Sequence, residues 1–197
     1  MALLLTFLTL FTVDLYLPRP AQAIWTELKD SQIEEAIQYG KRYKNYDVDK
    51  FLGEWMVVWR KDADRVGLYT KFNLLAVAAR NAALESRELR PEEIKNTMAK
   101  AEGKLSFELV LYGDTSHFAR NYHAVLNYKE RYIQPSFKHN PDAEPYGWRP
   151  MSPPVFRAFC SYEFTLTDID PNTEVTLILI TPSGMERQAI FDLSRMR

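Results

Sequence analysis

The chain has a single cysteine, Cys160, so it cannot close an internal disulfide and cannot build a multi-thiolate zinc site. Neither sign of charge is in excess, with 25 Lys and Arg against 26 Asp and Glu. The basic footprint of a general nucleic-acid binder is therefore missing. There is no G-x-G-x-x-G and no G-x-x-x-x-G-K-[ST], so no phosphate cradle of those kinds can be read. H-E-x-x-H and G-x-S-x-G are absent too, which sets aside the common metalloprotease and α/β-hydrolase arrangements. What is there is ordinary for a globular protein: 46% apolar and 26% charged residues over a length of 197. That composition excludes a wholly disordered chain, a collagen and a multi-span membrane protein.

The first 23 residues read as an export signal. Leu3 to Val13 is apolar but too short to cross a hydrocarbon core of about 30 Å as a helix. Pro18 and Pro20 break the run, and Ala21-Gln22-Ala23 has the small-residue spacing of a cleavage site. Two features depart from that pattern: no Lys or Arg precedes the run, and Asp14 sits late in it. Cleavage after Ala23 would leave no stable membrane span, and the expected location is periplasmic or secreted.

After the signal, periodicity divides the chain. Ser31 to Glu34 has capping-box spacing, Ile33 and Ile37 share a helical face, and Gly40 with Lys41 and Arg42 is the expected stop. Phe51 to Trp59 is ambiguous, with Met56 to Val58 favouring a strand. Lys71 to Leu84 carries one broad stripe: Phe72, Leu75, Ala76, Ala79, Ala82 and Ala83. Pro91 suits the first position of a second helix, and Gly103 suits its end. From Leu105 the period becomes two, through Phe107, Leu109 and Leu111. Further strands are expected near Tyr122 to Tyr128, Arg131 to Ile133, Phe156 to Leu166, Val175 to Ile180 and Arg187 to Leu193. The last three read as a β-meander, with Val175 to Ile180 central because it is apolar on both faces. The expected class is α+β: a mainly helical segment over 24–103, then an antiparallel sandwich-like β domain over 104–197, forming one compact unit. Residues 134–154 stand apart as a loop rich in proline and aromatics, including Pro135, Pro141, Pro145, Tyr146 and Trp148.

Several of these segments resemble uncharacterised exported bacterial proteins. The resemblance rests on Ile33 to Ile37 with Gly40, the Ala-rich helix after Phe72, and Pro91-Glu92-Glu93. It rests also on Leu111 to Asp114 and on the ending Phe191 to Ser194. It covers most of the chain after the signal and implies export, but it carries over no activity and no site.

The candidate sites are few. Asp168, Asp170, Asn172 and Glu174 alternate like the opening of an EF-hand, yet Thr173 and Leu179 stand where that loop needs glycine and a bidentate acid. The alternatives are a looser cation site on a hairpin and a polar β-turn. Asp114, His117, His123 and His139 could bind zinc but fit no ligand spacing. Cys160 could pair with a histidine as a nucleophile, but it falls on the apolar face of its strand, where an inert thiol is expected. Trp55, Trp59, Tyr69 and Phe72 read as core more than as a ligand pocket. The best exposed candidate is the proline-rich segment, with Tyr146, Trp148 and Arg149 contacting a partner, or else the loop covering a sheet edge.

These readings point to a non-catalytic interaction or structural module of the bacterial cell envelope, with a protein partner and no cofactor. The alternatives are an envelope hydrolase with an unrecognised site and a carrier of a small apolar ligand or lipid.

Overall fold

The computed structural model describes residues 27–59, 64–147 and 155–197. The protein is α+β, with helices and two antiparallel sheets. The expected signal lies outside the described residues. Among the described residues no helix is long and apolar enough to cross a membrane.

Helix α1 is Asp30–Arg42. Its N-cap is Lys29, two residues before the one expected at Ser31. Gln32 Oε1 accepts from the Lys29 backbone N–H at 2.8 Å, and Glu34 instead takes Gln38 as its partner at 2.6 Å. Gly40 is not the stop either: it is buried inside α1. A Cβ there would lie 2.3 Å from the Ala76 carbonyl oxygen and 2.9 Å from Ala79 Cβ. The glycine lets α1 and α3 (Lys71–Leu84) touch backbone to backbone. The alanines of α3 are the other half of that approach.

Between these helices lie the short α2 (Val48–Phe51), a 3-10 turn over Gly53–Trp55, and strands β1 (Met56–Val58) and β2 (Arg65–Tyr69). Thr70 caps α3 reciprocally: its Oγ1 accepts from Asn73 N–H at 3.2 Å, and Asn73 Oδ1 accepts from Thr70 N–H at 3.0 Å. Helix α4 (Pro91–Lys100) begins on proline as expected, and Gly103 closes it at φ +66°.

The remaining strands are β3 (Lys104–Gly113), β4 (His123–Tyr128), β5 (Arg131–Ile133), β6 (Phe137–His139), β7 (Glu144–Tyr146), β8 (Val155–Thr165), β9 (Glu174–Ile180) and β10 (Glu186–Asp192). One sheet has the order β1-β2-β3-β8-β6, with β7 also on β8; the other is β10-β9-β4-β5. Leu105, Phe107, Leu109 and Leu111 of β3 are buried, as are Ala158, Cys160, Tyr162 and Phe164 of β8. They share one apolar cluster with Leu126, Leu177, Leu179 and Phe191 of the second sheet. The Phe107 and Phe191 rings meet at 5.4 Å between centroids.

Three expectations are corrected by this topology. The large sheet is not confined to 104–197, because β2 pairs with β3 and brings β1 with it. The last three strands are not a meander. Strand β8 pairs with β3, whereas β9 lies between β4 and β10 in the other sheet. Alternation marks each strand's buried side but is blind to which strand lies beside it. The proline-rich segment is not a structureless loop: β6 and β7 pair with successive stretches of β8. Pro135 and Pro141 bracket β6, and Pro145 is tolerated in β7 because that strand is an edge.

Trp59 and Asp64 help to fasten the first half to the second sheet. Trp59 Nε1 donates to the Gln188 carbonyl at 2.6 Å, and buried Asp64 pairs with Arg187 while accepting from Tyr112 N–H at 2.9 Å.

Candidate functional site

Cross-strand partners share a sheet face. The faces of the large sheet therefore follow from register and from the buried set. Leu109, Cys160 and Val66 point into the core, which turns Gly67, Glu108, Val110, Arg157, Phe159 and Ser161 outward. Among the described residues, the aromatic cluster of α1, α2 and α3 meets this outer side near β1 and β2, through Met56 and Tyr69. Among the described residues no helix lies over the rest of that side, where Phe159 is exposed and Val110, Arg157 and Ser161 are half-buried.

A groove of about 260 Å³ lies at that step. Val48, Leu52 and Met56 form one wall and Phe159 the other, with Gly67 on the floor. A Cβ on Gly67 would meet no atom closer than 3.6 Å, so the missing side chain leaves space and relieves no clash. Arg65, Tyr69, Glu108 and Ser161 supply the polar rim. Burial, with Glu108 beside it, pushes the Tyr69 phenol well above its ordinary value.

Beyond the groove the outer face becomes a stripe of rings around one guanidinium. Arg157 stacks on Phe159 and on Tyr146, 4.7 Å from each centroid. Tyr146 meets Tyr112 edge-on at 4.9 Å. Burial, and then the Tyr146 phenol, raise the Tyr112 phenol. Phe159 is 50% exposed and Tyr146 42%. The charges here are paired within the chain: Arg157 with Glu144 at 2.5 Å, Arg65 with Asp49 at 3.2 Å, Lys104 with Glu163 at 2.6 Å. Such a surface offers apolar area beside ion pairs made within the chain.

The residues singled out by sequence are scattered. Tyr146 is on the outer stripe, while Trp148 and Arg149 lie outside the described residues. Asp170 Oδ1 accepts from the Asn172 backbone at 2.9 Å and from its side chain at 3.3 Å. Asn172 thereby lowers the Asp170 carboxyl, as in a local polar turn. Glu174 opens β9 opposite Asp192, and the Asp168 side chain lies outside the described residues. His117 reaches Asp142 at 3.1 Å, not Asp114 or His123, and Arg120 clasps the same carboxylate with two bonds. His123 and His139 are exposed on different sheets, opposite Ile180 and Ser161. Among the described residues no group of three His, Cys, Asp or Glu side chains could hold a metal ion. Cys160 is buried, and burial pushes its thiol up to about 12. Trp55 and Phe72 are core.

Sequence reading missed Val48, Gly67, Arg157 and Phe159. One local signal was available for Phe159: it occupies an outward position in a strand whose other outward residues are mostly polar.

No family model and no curated protein matches the chain. Among solved structures it is similar to a crystal structure of a protein of unknown function from Burkholderia pseudomallei K96243. The TM-score is 0.45 and the identity 11%, over 86% of this chain and 94% of that one.

Proposed function

We propose that the chain is a non-catalytic interaction module of the bacterial cell envelope, exported by its N-terminal signal, which docks a protein partner on the outer face of the large sheet. In this reading the two sheets serve as a sandwich-like scaffold, with the helical layer setting one wall of the site. The observation that carries it is the exposed Tyr146–Arg157–Phe159 stripe running into the groove beside Val48. Exposed aromatics around a stacked arginine, with a small apolar pocket alongside, have the anatomy of an interface anchor site.

Groove size favours a partner's side chain over a lipid. Small-molecule sites usually enclose about 300–1,000 Å³. A cavity of about 150 Å³ holds a benzene ring. At about 260 Å³ this groove suits one bulky side chain. Trp148 and Arg149, separated from Tyr146 by Gly147 in the sequence, are assigned to the same proposed contact. Leu3 to Val13 and Ala21-Gln22-Ala23 support export.

The test is site-specific photo-crosslinking in an expressing bacterium. A photoreactive residue at position 159 should give a discrete protein adduct in the envelope fraction. The same group at position 190, on the other sheet, should not. Gly67→Leu, which fills the groove floor, should abolish the adduct while leaving the thermal midpoint unchanged. Equal adducts at 159 and 190, or none, would refute the reading.

A further inference from the structure

Away from the outer face, Arg197 occupies a socket in the helical cluster. Three rings surround its guanidinium, with centroids at 4.8 Å for Phe72, 5.2 Å for Tyr39 and 5.8 Å for Trp55. Glu35 approaches one terminal nitrogen at 2.9 Å, and Glu54 contacts the other. The backbone is held as well: the Arg197 carbonyl oxygen accepts from Thr70 Oγ1 at 2.7 Å and from Trp55 Nε1 at 3.2 Å. Thr70, Trp55 and Phe72 are buried. On the α1 side the socket opens into a cleft of about 400 Å³ between Arg197 and Gln38, Arg42 and Tyr43.

These features suit one kind of cation. A guanidinium is planar, stacks on rings, and sheds water more readily than an ammonium does. Its fork of donors can serve two carboxylates at once, one from α1 and one from the turn before β1. An ammonium is a compact, strongly hydrated point charge that cannot lie flat between the rings. Without the guanidinium, Glu35 and Glu54 would lose the partner they share. The socket's walls come from α1, α3 and the Trp55 turn, far apart in sequence from the residue they hold.

We propose that this is a guanidinium-binding socket whose resident ligand is the chain's own Arg197, and that its ligand class is an alkylguanidinium. Occupancy ties the segment after β10 to the helices, so the socket acts as a latch between the helical cluster and the second sheet. Because the guanidinium is reached from the cleft, a free alkylguanidinium can take its place once the side chain is removed.

Chemical rescue in the full-length chain tests this. Arg197→Ala should lower the thermal midpoint by roughly 5–10 °C. Ethylguanidinium should then restore at least half of the loss in a saturable manner, with no such gain for the unsubstituted protein. Propylammonium should restore little. The Trp55 indole N–H resonance of the variant should move along the same saturation curve. Equal responses of variant and parent, or equal rescue by both cations, would overturn the proposal. If Arg197→Ala does not fold, Arg197→Lys decides the matter. A lysine chain as stable as the parent refutes guanidinium selectivity, and one several degrees less stable supports it.

Discussion

Replacing Gly40 by alanine sets two well-measured effects against each other. In a helix interior the exchange favours folding by about 1 kcal/mol, because alanine loses less backbone freedom. Here the new methyl would lie 2.3 Å from the Ala76 carbonyl oxygen and 2.9 Å from both Ala79 Cβ and the Arg80 backbone nitrogen. Two of those three atoms are backbone, so no side-chain rotation relieves the contact. Restoring ordinary contact at 3.4 Å or more requires α1 and α3 to separate by about 1 Å. Overpacking of this kind costs about 1–3 kcal/mol. Separation also stretches the bonds that hold the exit of α1 to α3: Arg80 Nε to the Lys44 carbonyl at 3.0 Å, its Nη2 to Tyr46 at 2.6 Å, and Lys44 Nζ to Ala83 at 3.2 Å. Each is worth about 1 kcal/mol. The expected net result for Gly40→Ala is a loss of about 2–3 kcal/mol, or a fall in thermal midpoint of roughly 4–12 °C for a chain of this size. Urea denaturation followed by circular dichroism measures it. Gly53→Ala is the control, since its Cβ would meet nothing within 4 Å, and it should be neutral or gain up to about 1 kcal/mol. If Gly40→Ala were as stable as the parent or more so, the close approach of α1 and α3 would be refuted.

Cys160, buried and with its thiol pushed up to about 12, should react with a thiol reagent at pH 8 only as fast as the chain opens, and labelling at the denatured rate would contradict its inward placement. Arg120, and then His117, hold the Asp142 carboxyl at about 2. A carboxyl depressed on folding stabilises above its ordinary range and loses that contribution as pH falls toward 2. This site lies at the surface, so the informative measurement is the Asp142 titration by NMR, which should move back up toward an ordinary carboxylate value in Arg120→Ala. Protein exported by a bacterial host should begin at Ile24 on N-terminal sequencing; a retained Met1 would refute cleavage after Ala23.

Where a feature depends on the period of apolar residues within one element, the sequence was enough. The stripe from Phe72 to Ala82 marks α3 at the bounds observed, Lys71–Leu84, because a 3.6-residue period places those side chains on one face whatever lies opposite. The same holds for the buried alternation of β3 and β8, for Pro91 at the start of α4, and for Gly103 at its end. What packs opposite was not legible. Gly40 reads as a helix stop until α3 is seen lying against it. Strand β9 reads as the neighbour of β8 until the chain is seen to cross to the other sheet. The sequence already offered the proline-rich segment as cover for a sheet edge, but only register in space showed that it does so as strands β6 and β7 on β8, and that Phe159, Arg157 and Tyr146 form one stripe from two strands. Arg197 carried no local signal at all, because its partners stand at positions 35, 39, 54, 55, 70 and 72. Periodicity reports the surroundings of a few neighbouring residues, whereas both the groove and the socket are assembled from segments that meet only once the chain has folded.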